Sequence, residues 1–482
     1  MRTFFVAVSF LLLLFQGKAQ THPAMGKFLS APYMRSASVS VMIKDIRSDS
    51  VVFGYDAERE VIPASVMKIV TTATALEILG ERFRYETAVM HDGNIRNHVL
   101  YGNIYLRGSG DPTTGSSDTE TGRDKIIGEW VSAIKNKGIR KITGAVVADE
   151  SIFDTEGISM KWLREDLGSY YGQGSYGLNI YDNRYSLFLR TGEPDGRTEI
   201  GRSEPDMSPF IVFRNYLTAK DTDTDSAYIV GLPYSTERYL YGTLPANRPA
   251  YKLQGDIPEP ALFLAQCVTE RLKQEGIEIA GEPTCYRKLS QDGKWEKRER
   301  KIITTSYSPP LKEIIRITNH VSHNLYADAL LKTIGRRYKP DEAASSFEKG
   351  TGALHAYWEG KGLETSSLWM FDGSGLSPAD KITAAFLCEL LSYMATKAAA
   401  PDTFMQSLPR AGMEGTVRNT LKGSMLHGKA RLKSGSMSRV RCYAGYVTKN
   451  GRLYAVALLV NNFSCKQNRI KAGMEELLLS LF

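Results

Sequence analysis

The sequence predicts a multidomain α/β protein in which one α/β unit, drawn from both ends of the chain, is interrupted by a β-rich insertion. Three observations predict it. The 482 residues are 42% hydrophobic, enough for two or three globular cores. The texture changes near residue 85 to short strands, Gly-rich turns and aromatics, and helical character returns only near residue 309. No period of repeat-protein length and no low-complexity tract offers another architecture.

Taken in order, MRTFFVAVSFLLLLFQGKAQ (1–20) reads as a secretory signal. Arg2 supplies the positive start, Phe4 to Phe15 the apolar stretch and Gly17-Lys18-Ala19 a small-residue cleavage site. The apolar stretch is too short to span a bilayer, so cleavage before Gln20 and export to a periplasmic or other extracytoplasmic space are expected. SASVSVMIKDI (36–46) and SVVFGYDAE (50–58) alternate as an antiparallel strand pair. Pro63 then opens a helix whose apolar residues Val66, Ile69, Val70, Ala73, Leu76 and Ile78 cover a wide face. Short strands follow around 98–112, 142–154 and 176–190, helix over 309–335, and a strand-rich tail over 430–463 with an Asn450-Gly451 hairpin turn. IKAGMEELLLSL (470–481) closes the chain as an amphipathic helix. The expected division is a signal at 1–19, the first part of the α/β domain at 20–90, two inserted β-rich domains (one nested in the other) at 91–300, and the second part at 301–482.

Loss of residues 1–19 removes Arg2 and Lys18, leaving 59 basic against 53 acidic residues, a formal charge of +6. This mild bias suits peripheral association with an anionic cell envelope. The Lys and Arg are scattered, which excludes a nucleic-acid footprint. The densest run, KWEKRERK (294–301), reads as a solvated boundary segment. The cysteines at 267, 285, 388, 442 and 465 have no metal spacing, and Cys267 with Cys285 is the pair to expect if an exported chain forms a disulfide. DTDTDS (221–226) starts like a calcium loop, but Ser226 replaces its glycine and Leu232 its terminal glutamate, so it reads as a solvated loop. His320 and His323 lack the further ligands that a metal site requires.

Three motifs occur in order: Ser65-Val66-Met67-Lys68, Ser322-His323-Asn324 and Lys433-Ser434-Gly435. S-x-x-K alone carries little, since SAIK at Ser132 and SFEK at Ser346 also match. S-x-N and K-[ST]-G each occur once. Residues three apart on a helix share a face, so Lys68 reaches the Ser65 hydroxyl. A lysine takes a serine proton if burial or a neighbouring cation such as Lys433 lowers its pKa. Ser322 would relay a proton to the leaving group and Asn324 would orient Lys68 or the substrate. Lys433, Ser434 and Ser436, with Gly435 between the hydroxyls, suit a substrate carboxylate. The backbone N–H groups of Ser65 and Ser436 would form an oxyanion hole.

This ordered triple resembles the serine-lysine arrangement of β-lactamases and penicillin-binding proteins. From about residue 38 to 475 the chain resembles the class C low-molecular-mass penicillin-binding proteins, the D-alanyl-D-alanine carboxypeptidase/endopeptidase family. IPAS before Ser65, LRGSGDPT (106–113), ITGAVVADESIFD, FDGSGLS (371–377) and AGMEGTVRNTL (411–421) add to the likeness. Two positions vary: Ser434 stands where Thr is commoner, and His323 where relatives often carry Asp or Asn. The resemblance implies a transpeptidase/β-lactamase-like domain (an antiparallel sheet with helices) interrupted by inserted domains between the first two motifs. It implies a serine DD-peptidase acting on peptidoglycan stem peptides, acylated by β-lactams, and needing no cofactor or metal. A β-lactamase or esterase of the same superfamily, or a non-catalytic peptidoglycan binder, are the alternatives.

Overall fold

The computed structural model describes residues 22–119, 122, 125–338 and 343–482. The expected signal at 1–19 lies outside the described residues. Among those described, no helix is long and apolar enough to cross a membrane.

A five-stranded antiparallel sheet joins the two ends of the chain. Its order is Ser50–Tyr55, Ser38–Asp45, Arg452–Asn461, Val440–Lys449, Ala430–Met437. Alternation along the strands gives the sheet two apolar faces. Val39, Val41, Ile43, Val456, Leu458 and Val460 face one core, closed by the helices Pro23–Leu29 and Gln467–Leu481. Met42, Ala455, Ala457, Leu459, Cys442 and Ala444 face the other, with the helices Met67–Leu79, Leu311–His320, Asn324–Tyr338 and Ala384–Thr396. Every residue of Met67–Leu79 from Met67 to Leu76 is buried, as expected of a helix apolar on all sides.

Between these halves the chain builds further sheets. Strands Glu86–His91 and Lys301–Tyr307 pair with each other, so the chain leaves and re-enters the central unit side by side. The same sheet contains Ile104–Arg107 and Val146–Asp149, which are parallel. The helix Lys125–Asn136 links them, and Pro260–Gln274 packs in the same core. The intervening segment therefore contains helices as well as strands.

Two expectations are corrected. Cys267 and Cys285 are not bridged, and no disulfide joins any of the five cysteines. The buried Cys285 thiol instead donates to Glu259 Oε1 at 3.4 Å. In the basic run, Arg300 is nearly buried rather than solvated. Its guanidinium lies 3.9 Å from the Tyr105 ring centroid and donates to Asp149. The 221–226 loop is fully exposed, as expected.

Leu459 lies in the central strand of the shared sheet and is fully buried. Leu459→Ala is expected to cost roughly 2–5 kcal/mol, read as a lower denaturation midpoint for the unit that contains both chain ends.

Candidate active site

The three motifs meet at the end of the central sheet. Ser65 lies in a short 3-10 turn, Ala64–Val66, which runs directly into the helix Met67–Leu79. Ala64 has a positive φ of 47°, an arrangement that costs a non-glycine residue about 1–3 kcal/mol. The turn is tied to the sheet by Asn461, whose side chain accepts from Ile62 N at 2.8 Å and donates to Ile62 O at 3.0 Å. Ser322, at φ 61°, sits between the helices Leu311–His320 and Asn324–Tyr338. Lys433, Ser434, Gly435 and Ser436 lie on Ala430–Met437, the edge strand beside the turn.

Lys68 is fully buried. Its Nζ lies 3.0 Å from Ser65 Oγ, 2.6 Å from Asn324 Oδ1 and 2.6 Å from Ser374 O. The Asn324 amide is held at its other end, where Nδ2 donates to Tyr171 O at 2.8 Å. Lys433, also fully buried, donates to Ser322 Oγ and to Ser434 O, both at 2.8 Å. The Ser434 hydroxyl donates to Thr416 Oγ1 at 2.8 Å. Ser436 is exposed at the cleft end of the strand.

Burial pushes Lys68 down to about 8, against the opposing charges of Asp328, Asp372 and Asp380. Burial, then the neighbouring Lys68 and Arg441, push Lys433 well below the usual lysine range. Burial also raises Asp328 and Asp380 well above the usual carboxyl range, each with repulsion from Asp372. Asp372 itself accepts from Ser374 N, Gly375 N, Ser377 N and Trp162 Nε1.

Two glycines let these pieces touch. A Cβ on Gly435 would stand 2.5 Å from Pro63 O and 3.1 Å from Ser65 N. One on Gly375, at φ 76°, would stand 2.0 Å from Ala64 O.

The structure thus gathers Ser65, Lys68, Ser322, Asn324, Lys433, Ser434, Gly435 and Ser436 at one cleft. Motif reasoning missed the Ser374 carbonyl, the carboxyls of Asp328, Asp372 and Asp380, Thr416 and the Tyr171 carbonyl. The only signals for them were the FDGSGLS and AGMEGTVRNTL segments, which contain Asp372, Ser374 and Thr416.

His323 is buried. Its ring stacks on Tyr326 with centroids 4.2 Å apart, and Nε2 lies 3.5 Å from Asp182 Oδ1 and 3.8 Å from Asp118 Oδ2. These three side chains, without His320, have donor atoms close enough for a metal ion. Arg184 Nη2, however, lies 3.1 Å from Asp182 and 3.6 Å from Asp118, so the carboxylates already face a cation. Burial raises the Asp182 carboxyl, but His323 and Arg184 outweigh it and hold the group well below the usual range.

Comparisons with known proteins give the family. The D-Ala-D-Ala carboxypeptidase 3 (S13) family matches residues 23–481. The D-alanyl-D-alanine carboxypeptidase DacB of Haemophilus influenzae is 25% identical over 432 residues, 89% of this chain and 86% of that protein. A D-alanyl-D-alanine carboxypeptidase of Actinomadura sp. (strain R39) is 25% identical over 433 residues, 87% of this chain and 77% of that protein. The crystal structure of penicillin binding protein 4 from H. influenzae has a TM-score of 0.79 at 24% identity, covering 92% of this chain and 96% of that one. The same protein complexed with a β-lactam gives a TM-score of 0.74 at 22% identity, with the same coverage. With a match that runs from the first described helix to the last, this chain belongs to the D-Ala-D-Ala carboxypeptidase 3 (S13) family.

Proposed function

We propose that this D-Ala-D-Ala carboxypeptidase works through an acyl-enzyme on Ser65, cleaving D-Ala-D-X bonds of peptidoglycan stem peptides outside the cytoplasm. The observation that carries the reading is the set of three short contacts around Lys68 Nζ. A neutral amine has two N–H donors and one lone pair. With the donors given to Asn324 Oδ1 and Ser374 O, the lone pair points at the Ser65 hydroxyl.

Lys68 then takes the Ser65 proton as Oγ bonds to the scissile carbonyl carbon. The N–H groups of Ser65 and Ser436 receive the developing oxyanion. As the tetrahedral intermediate collapses, the C–N bond breaks and the leaving amine takes a proton through Ser322, which Lys433 orients. Water next attacks the ester carbonyl, surrenders a proton to the same base, and frees the acyl group and Ser65. Lys433, Ser434 and Ser436 hold the substrate carboxylate, and the outer edge of Ala430–Met437 offers its backbone to an extended peptide. A β-lactam presents an amide of the same kind and acylates the same serine. On this reading residues 20–90 and 301–482 form the catalytic domain, residues 91–300 are inserted, and no metal or organic cofactor takes part. Export through a cleaved signal and peripheral contact with the envelope follow from the sequence and the positive balance of the mature chain.

Intact mass after brief exposure to benzylpenicillin tests the nucleophile: one added penicilloyl group on the parent and none on Ser65→Ala. No adduct on either protein would favour a peptidoglycan binder that lacks catalysis, and rapid turnover of a chromogenic cephalosporin would favour a β-lactamase.

The pH dependence of acylation tests the base. A lysine lowered to about 8 is protonated and inactive below that pH, and active above it. The acylation rate is expected to rise tenfold per pH unit at low pH and to level off near pH 8. A profile flat from pH 6 to 9 would remove Lys68 from the role of base.

Gly435→Ala tests the close approach of the edge strand. It is expected to slow acylation by about 10²-fold and to lower the melting temperature as well, because the added Cβ meets backbone atoms.

A further inference from the structure

Away from the cleft, one sheet face has a composition that hydrolysis of a peptide does not require. The sheet of Val212–Asn215, Glu237–Tyr241 and Tyr228–Val230 buries Arg238, Leu240 and Ile229. Its other face carries Tyr228, Tyr239 and Tyr241, with Tyr216 just past the end of Val212–Asn215. Strand register sets Tyr228 opposite Tyr241 and Val230 opposite Tyr239. Tyr216 and Tyr228 are 60% and 52% exposed, too open for core residues.

The rings form a platform. Tyr241 lies 5.4 Å from Tyr216 at an interplanar angle of 10°, and 6.4 Å from Tyr239 at 8°. Tyr228 adjoins it at 5.7 Å and 34°. Buried pairs in this molecule such as Phe83 with Tyr85 and Trp358 with Tyr393 meet edge-on instead. A groove of about 740 Å³ lies between Tyr228, Tyr239 and Tyr241 and a wall formed by Leu163, Arg164 and Glu165. Its charges balance. Arg214 pairs with Glu237 at 2.8 Å, Tyr239 donates to the same carboxylate at 2.7 Å, and Arg164 stands beside Glu165.

A groove lined by tyrosine rings, with several hydroxyls and no net charge, fits a neutral ligand that is apolar on its faces and polar around its rim. A β-linked pyranose chain has that form: C–H bonds on both ring faces and hydroxyls at the equator. An anionic polymer would find no surplus of cations, and a basic peptide no surplus of carboxylates. Large exposed aromatic patches mark binding surfaces, and aromatic stacking adds specific orientation to the area buried.

The wall also leads to the catalytic cleft. The segment that begins at Leu163 continues to Tyr170 and Tyr171, which are edge-to-face at 5.4 Å. The Tyr171 carbonyl is the one that accepts from Asn324 Nδ2. One short segment therefore borders the groove at one end and orients the Lys68 partner at the other.

We propose that the groove of Tyr228, Tyr239 and Tyr241, which Tyr216 adjoins, binds the amino-sugar strand to which the stem peptide is attached. The proposal deepens the DD-peptidase reading and rests on it for the identity of the strand. Its test uses the full mature chain, titrated calorimetrically with chitohexaose. Parent, Tyr228→Ala/Tyr241→Ala and Tyr241→Phe are compared. The double variant is expected to lose about tenfold in affinity per ring removed, whereas Tyr241→Phe keeps the stacking face and binds nearly as the parent does. All three should hydrolyse a soluble D-Ala-D-Ala tripeptide with the same kcat/KM and take one penicilloyl group. Absence of chitohexaose binding by the parent, or equal binding by the double variant, overturns the glycan groove. Tyrosine-dependent glycan binding by a parent that neither hydrolyses the peptide nor takes penicillin supports the groove and refutes the DD-peptidase reading instead.

Discussion

The site is organised around a lysine that is buried without being paired to a carboxylate. A charged ammonium taken out of water loses several kcal/mol of hydration unless an anion stands against it. Lys68 is given only neutral acceptors at contact distance: a hydroxyl, an amide oxygen and a peptide carbonyl. Such a site favours the free amine, which is the form that can remove a proton from serine. The surrounding fold keeps those three acceptors fixed and keeps water and anions from taking their places.

That requirement accounts for much of the local architecture. Ser65 and Lys68 come from one turn of chain, Asn324 from the start of a helix and Ser374 from a glycine-rich loop. Their convergence depends on close backbone contact. Gly435 brings the edge strand against the turn, and Gly375 brings the loop against Ala64. The backbone strain at Ala64 and Ser322 belongs to the same arrangement, because each aims its motif into the cleft where an unstrained turn would aim it elsewhere. Asn461 holds the turn to a strand more than three hundred residues away in sequence, so assembly of the site requires both ends of the chain.

The sequence made the motif-bearing part of this legible and left its support obscure. Ser65, Lys68, Ser322, Asn324 and Lys433 could be read because each needs a particular side chain at a particular spacing. Ser374 and Tyr171 act through backbone carbonyls, which any residue supplies, so their side chains gave no signal. Asp328 lies within a stretch read only as helical, and it meets Asp372 and Asp380 only after the chain folds. The antiparallel strand pair, the hairpin at Asn450-Gly451 and the helix after Pro63 were legible from local pattern. The pairing of Ser38–Asp45 with Arg452–Asn461 is the long-range contact that local pattern does not encode. Cys267 and Cys285 mislead for the same reason: nearness in sequence says nothing about where two side chains point.

The carboxyls behind Lys68 decide whether the lysine can stay neutral. Three ionised aspartates there would hold it protonated by simple attraction. Asp372 accepts five hydrogen bonds, three of them from backbone N–H groups. Asp328 and Asp380 each have one oxygen without a partner among the described residues, and burial with repulsion from Asp372 raises both. A shift of those two acids toward the neutral form weakens the negative charge that opposes loss of the Lys68 proton. The peptide N–H groups around Asp372 also hold the loop whose Ser374 carbonyl accepts from Lys68, and so help to turn that amine toward Ser65.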